Sequence, residues 1–147
     1  MAETREILHT AFVIKKAYDS IWDDISERFE LTHAEIDVIA FLSNNPMQDT
    51  ASNIVEYRMI AKSHVSKAVE RLIARGMLVG NKDPKDKRQI HLMLTDEAST
   101  VVGEIRKRQL EFKDMIIDGV TEEEIALFRK ISEKIVENAA SLIEENA

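Results

Sequence analysis

The chain of 147 residues contains no cysteine. That excludes disulfides, thiolate catalysis, cysteine-type zinc sites and thiol-based oxidant sensing, and it fits a reducing compartment. Proline and glycine are scarce, two and four residues, so long stretches are free of helix breakers. No apolar run approaches the roughly 18 residues a membrane helix needs. The opening "MAETREILHT" is acidic and amphipathic, unlike a signal peptide. The expected location is the cytoplasm, with no membrane partner. Also missing are a glycine-rich phosphate loop and a G-x-S-x-G elbow. The four histidines, His9, His33, His64 and His91, show neither H-x₃-H nor H-E-x-x-H spacing. Carboxylate pairs such as Asp23-Asp24 lie on a polar helix face, where solvation explains them. The expectation is a protein that is not an enzyme and holds neither metal nor cofactor.

Charged residues make up 32% of the chain and hydrophobics 44%, the balance of a folded, helix-rich domain. The net charge is −7, which by itself argues against a polyanionic partner. Its distribution argues the other way. From Arg58 to Leu92 there are nine basic and three acidic residues, a segment of +6 set in a remainder of −13. Such asymmetry is the footprint sought when the partner is nucleic acid, although a solvated basic face would look the same.

Apolar residues from Ile7 to Phe29 recur at three- and four-residue steps, predicting one helix over 5–29. That helix is long for so small a chain, so part of its stripe is expected to meet a partner chain. Thr32 with Glu35 forms a T-x-x-E capping box opening a second helix, stopped by two asparagines and Pro46. A short third helix follows, capped by Asp49 or Thr50, with Ile54 and Val55 inward. A fourth buries Val65, Ala68, Val69, Leu72 and Ile73 and ends at Gly76, placed as a C′ glycine. Lys62, Ser63, His64, Ser66, Lys67 and Arg71 fall largely outside that stripe.

The period then changes from 3.6 to 2. "MLVGNK" and "RQIHLMLT" read as strands around the turn-rich "DPKDK", a hairpin with a basic tip and with His91 facing solvent. Thr95 is expected to cap a fifth helix to about Asp118, broken by Gly119. Thr121 and Glu124 form another capping box, opening a last helix with Ile125, Phe128, Ile131, Ile135, Leu142 and Ile143 on one face. The fold is mainly α with a small β-hairpin wing, in the order α-α-α-α-β-β-α-α.

Short helix, tight turn, second helix, hairpin: this is the order of a winged helix-turn-helix. The second helix of the pair suits the roughly 12 Å major groove of DNA. Lys67 and Arg71 could meet phosphate or a guanine edge, Ser63 and Ser66 phosphate or base, and His64 either. The same geometry also serves protein docking, and an adaptor without operator binding is the alternative. The basic hairpin beside a basic helix favours DNA.

The stretch from Ala51 to Thr95 resembles the DNA-binding core of the MarR family of transcriptional regulators. Asp86-x-Arg88-x-x-x-Leu92-x-Leu94-Thr95 resembles that family's wing signature, and Lys62-Ser63-His64-Val65-Ser66 the start of its recognition helix. The resemblance implies a winged helix-turn-helix over 32–95, with 1–31 and 96–147 forming a helical dimerisation region. It implies a homodimer on a pseudo-palindromic operator in double-stranded DNA, more often repressing than activating. It implies contact from a wing carrying Lys85, Lys87 and Arg88, Asp86 either holding Arg88 by a charge-assisted bond or capping the turn. The family commonly takes small phenolic or anionic effectors, which the resemblance would place near Tyr18, Trp22, His33 and Asp37. Core packing is the plain reading for the two aromatics, and a surface position for His33. Arg58 and Met59 stand where the family's turn often has Leu and Gly, which leaves Arg58 as an extra phosphate contact. Ala61 stands where Ser or Thr would cap the recognition helix.

Overall fold

The computed structural model describes the backbone of residues 2–147 and the side chains of residues 3–147. Helices α1 (Ala2–Ser20), α2 (Asp23–Phe29), α3 (His33–Asn44), α4 (Ala51–Arg58) and α5 (Lys62–Ala74) precede strands β1 (Leu78–Lys82) and β2 (Ile90–Leu94). Helices α6 (Ser99–Ile116) and α7 (Glu122–Glu145) follow. The chain divides into two compact units, Met1–Phe112 and Lys113–Ala147.

In the first unit, the single helix expected over 5–29 is two. The Ser20 hydroxyl donates back to the Ala17 carbonyl at 2.7 Å, a bond that competes with helix propagation. Arg108 Nη1 takes the Ile21 carbonyl at 2.9 Å, and Trp22 enters the core at 1% exposure. Helix α1 is exposed from Glu3 through Lys16, but Tyr18, Trp22 and Ile25 carry the three- and four-residue step across the break into the core, so the sequence pattern did not reveal it. Glu30, in the left-handed region at φ 53°, ends α2.

Helix α3 is the centre of the core. Both halves of the Thr32–Glu35 capping box are present, and seven of its twelve residues are buried. Its apolar residues run almost all round, the signature of a helix enclosed by neighbours. Around it pack Trp22, Ile25, Ile54, Val65, Leu72, Leu78, Leu92, Val101 and Ile105. Thr50, rather than Asp49, caps α4, with Asn53 completing the box. On α5, Val65, Ala68 and Leu72 are buried. Val69 is only half-buried, and Ile73 is exposed, because the core-facing arc of this helix is narrower than its apolar composition. Gly76 at φ +73° ends α5 in a Schellman pattern, its N–H bonding the Ile73 carbonyl and that of Met77 the Leu72 carbonyl, each at 3.0 Å.

The two strands pair antiparallel, with Leu78 opposite Leu94, Gly80 opposite Leu92 and Lys82 opposite Ile90. Alternation holds only at its centre: Leu92 is buried, Leu94 half-buried and Ile90 exposed. The Leu92 N–H also donates to the Asp49 carbonyl at 2.7 Å, tying the hairpin to the segment before α4. Thr95 does not cap α6. Its hydroxyl bonds the Gly76 carbonyl, and a 3₁₀ turn, Asp96–Ala98, leads into the helix.

In the second unit, Gly119 at φ +81° turns the chain. Thr121 and Glu124 form the expected capping box of α7. None of the 24 residues of α7 is buried. Ile117, Ile125, Phe128 and Val136 line an open apolar groove.

Candidate nucleic-acid interface

The turn between α4 and α5 sets the direction in which α5 runs. Met59 adopts the left-handed conformation, φ 54°, which glycine enters without cost and a methionine does not. Met59 therefore carries local backbone strain at this turn. Ala61 at the N-cap makes no side-chain bond, leaving first-turn N–H groups of α5 without the cap that Ser or Thr would supply. Burial of Val65, Ala68 and Leu72 turns Lys62, Ser63, His64, Ser66 and Lys67 outward, and all five are exposed. His64, Lys67 and Arg71 share an open cleft of about 270 Å³ with Thr32 and Glu35.

The basic segment separates into braces and free cations. Arg58 Nη2 donates to Asp37 Oδ1 at 2.7 Å, and its guanidinium lies 5.5 Å from the Tyr18 ring centre. Burial opposes its charge, but Tyr18 and Asp37 outweigh burial and raise its pKa. Arg71 Nε stands 3.1 Å from Oε1 of Glu35, a charge contact without hydrogen-bond alignment. Glu35 is fully buried, and its Oε2 accepts from the Thr32 N–H at 2.7 Å. Arg75 donates to the carbonyls of Phe29 and Glu30, each at 2.8 Å. These three arginines, whose planar forks suit such bridging, tie the helix-turn-helix to α2 and α3. Arg58 and Arg71, both expected to face DNA, thus have partners within the chain. Lys62, Lys67, Lys82, Lys85, Lys87 and Arg88 form no ion pair among the described residues.

The wing tip is organised by carboxylates acting on backbone. Asp83 Oδ1 accepts the N–H groups of Lys85 and Asp86 at 2.8 and 3.0 Å. Asp86 Oδ1 accepts the N–H of Arg88 at 3.1 Å. Asp86 therefore braces the backbone of Arg88 as a turn cap. The two side chains form no ion pair among the described residues, and the Arg88 guanidinium is left free. His91 does not face solvent as expected. It is half-buried, with Nδ1 2.7 Å from Asp49 Oδ1 and Nε2 2.7 Å from Asp83 Oδ2. Strand alternation placed it on the outer face, but the segment before α4 covers that face.

Of the residues tied to an effector crevice, Tyr18 packs edge-on against Trp22 at 5.3 Å and Phe112 at 5.4 Å. Its hydroxyl accepts from Gln109 at 3.1 Å. Trp22 is buried, its indole N–H without an acceptor among the described residues. Asp37 reaches this group through Arg58. His33 is exposed and pairs with Asp23 at 3.1 Å, apart from that chain of contacts. The sequence reading missed Asp49, Asp83 and His91 as one unit and took Glu35 only as a capping residue. A lone histidine in a strand and an aspartate 42 residues away carry no shared spacing signal.

The sequence model of the MarR family matches residues 29–89. The chain is 25% identical over 138 residues to the HTH-type transcriptional regulator PecS of Dickeya dadantii, covering 90% of this chain and 83% of that protein. Among solved structures, the PcaV transcriptional regulator of Streptomyces coelicolor, in complex with its natural ligand, is 26% identical. It superposes with a TM-score of 0.66 over 89% of this chain and 92% of that one. A MarR family regulator of Listeria monocytogenes, complexed with 26mer DNA, is 21% identical, with a TM-score of 0.78 over 91% of this chain and 89% of that one.

Proposed function

We propose that this chain, whose residues 29–89 match the MarR family model and which is 25% identical to a transcriptional regulator over 138 residues, is a transcriptional regulator of that family that binds operator DNA as a homodimer and represses transcription. The observation that carries this reading is the set of unpaired cations on two adjoining elements, Lys62 and Lys67 on α5 and Lys85, Lys87 and Arg88 on the wing. Two elements presenting free positive charge together suit a duplex, with α5 in the major groove and the wing tip at the neighbouring backbone or minor groove. A structural relative bound to 26mer DNA shares this fold, which supports the placement. Ser63, His64 and Ser66 supply hydrogen bonds to base or phosphate. Arg58 and Arg71 act on DNA indirectly, by holding α4 and α5 against α3. A second copy covers the exposed apolar faces of α1 and α7, and two recognition helices then meet successive major grooves of a pseudo-palindrome. A small phenolic or anionic effector that displaces contacts among Tyr18, Trp22, Asp37 and Arg58 would release the complex. A relative solved with its natural ligand supports that step.

Salt dependence tests the reading. With about eight phosphates neutralised per dimer, log K against log salt falls with a slope near −7. The DNA is a fragment selected from a random pool. Arg88→Ala weakens binding to most sequences and lowers the slope by about 1 per lost contact; Lys67→Ala does likewise at phosphate, or relaxes discrimination at one base pair at guanine. A shallow slope, or unchanged binding in both variants, sinks the groove-and-wing placement and favours a protein-docking adaptor.

A further inference from the structure

We infer that His91 is the positioning residue of the wing, an imidazolium latch that joins the hairpin to the segment before α4 through Asp49 and Asp83. The functional consequence rests on the DNA-binding reading above; the latch itself does not.

The geometry carries the assignment. Both ring nitrogens stand 2.7 Å from carboxylate oxygens. A neutral imidazole has one N–H and one lone pair, so it would set a lone pair against one of two acceptors. Only the doubly protonated ring donates to both. Three elements adjoin the ring. The segment before α4 presents Asp49, the wing turn presents Asp83, and β1 presents the neutral Asn81 across the ladder. No cation opposes the ring's charge in those contacts. Consistently, Asp49 first and Asp83 second raise the His91 pKa against a small opposing effect of burial. His91 in turn is the main cause that lowers Asp83 to about 2, with the N–H groups of Asp86 and Lys85 adding to it.

The contacts continue in both directions. Asp49 accepts the Leu92 N–H through its carbonyl, so backbone and side chain fix β2 at the same place. Asp83 holds the N–H groups of Lys85 and Asp86, and Asp86 holds that of Arg88. A line of hydrogen bonds thus runs from the residue before the α4 cap to Arg88, the one arginine of the basic segment whose side chain forms no ion pair or hydrogen bond among the described residues. Backbone bonds between Asp83, Asp86 and Gln89 close the tip, but a two-stranded ribbon is only marginally stable by itself. The latch supplies a reference point on the helix-turn-helix. Because the folded-state pKa of His91 is raised, the latch is fully present below the ordinary histidine value near 6.5 and is lost as pH rises through the raised value.

The test has two arms. Without DNA, imidazole NMR of the full chain follows His91, and backbone amide spectra follow Lys85, Asp86 and Arg88. The expected result is a ring that stays doubly protonated past the ordinary range, and wing amides that shift when it titrates or when His91→Gln or Asp49→Asn is introduced. A ring that titrates in the ordinary range, with wing amides unmoved by either substitution, overturns the latch. With a fragment selected from a random DNA pool, at constant salt, His91→Gln should bind roughly fivefold more weakly at pH 6. The gap to wild type should close as pH rises. A gap independent of pH overturns the latch as a source of pH sensitivity. An intact latch by NMR in a protein that binds no fragment at any pH overturns the DNA reading and leaves the latch standing.

Discussion

Helices α3 and α7 open the same way, with a threonine capping box, and end in opposite surroundings. In α3 the box is Thr32 and Glu35, and seven of twelve residues are buried. In α7 it is Thr121 and Glu124, and none of 24 is buried, Phe128 being 60% exposed. The difference lies in the width of the apolar face. Helix α3 carries Ile36, Val38, Ile39, Ala40, Phe41 and Leu42 almost without interruption, so it must be enclosed on several sides. Helix α7 carries one stripe backed by Glu and Lys, which a single neighbour can cover. A period specifies that a face exists; it does not say which surface covers it. For α3 the cover comes from the same chain, and for α7 a second copy is proposed.

Three substitutions probe that contrast. The largest effect is expected at the centre of α3. Ile39→Ala should lower unfolding free energy by about 3 kcal/mol, since the cavity is enclosed and cannot refill; urea denaturation at fixed protein concentration measures it. A cost below about 1 kcal/mol would mean that α3 is not the core. At α7, Phe128→Glu should convert a dimer to monomer in sedimentation at micromolar concentration, because a carboxylate buried without a partner costs several kcal/mol. An unchanged sedimentation coefficient would show that this face is not the one a second copy covers. The smallest effect is expected where α3 meets α5. Arg71→Ala should cost about 1–2 kcal/mol, a value discounted because Arg71 is 55% exposed while Glu35 is 1%. A loss of DNA affinity with no loss of stability would instead make Arg71 a reader of DNA rather than a brace.

Much of the local structure was legible in advance. The boxes at Thr32 and Thr121, the stop at Gly76, the uncapped start at Ala61 and the hairpin around Pro84 all rest on chemistry within a few residues of chain. The outward set on α5 was legible because Val65, Ala68 and Leu72 mark the inward side. What stayed hidden had partners distant in sequence. Arg58 finds Asp37, Arg71 finds Glu35, and Arg75 finds two carbonyls at the end of α2. From sequence each is only one more positive charge. The division of the first helix was hidden for a related reason, because Arg108, which holds the Ile21 carbonyl at the break, lies 87 residues away.

The sequence by itself determined that this chain is mainly helical with one hairpin, that positive charge gathers between Arg58 and Leu92, and that no cysteine takes part. These follow from period, capping chemistry and composition, which need no knowledge of distant neighbours. Only the tertiary structure decided which of those charges are free. Arg58, Arg71 and Arg75 meet Asp37, Glu35 and the carbonyls of Phe29 and Glu30 within the chain, because an interior carboxylate with no countercharge, or a carbonyl with no donor, costs more than a forgone contact with solvent. Tertiary structure likewise placed His91 between Asp49 and Asp83, although strand alternation put it on the surface.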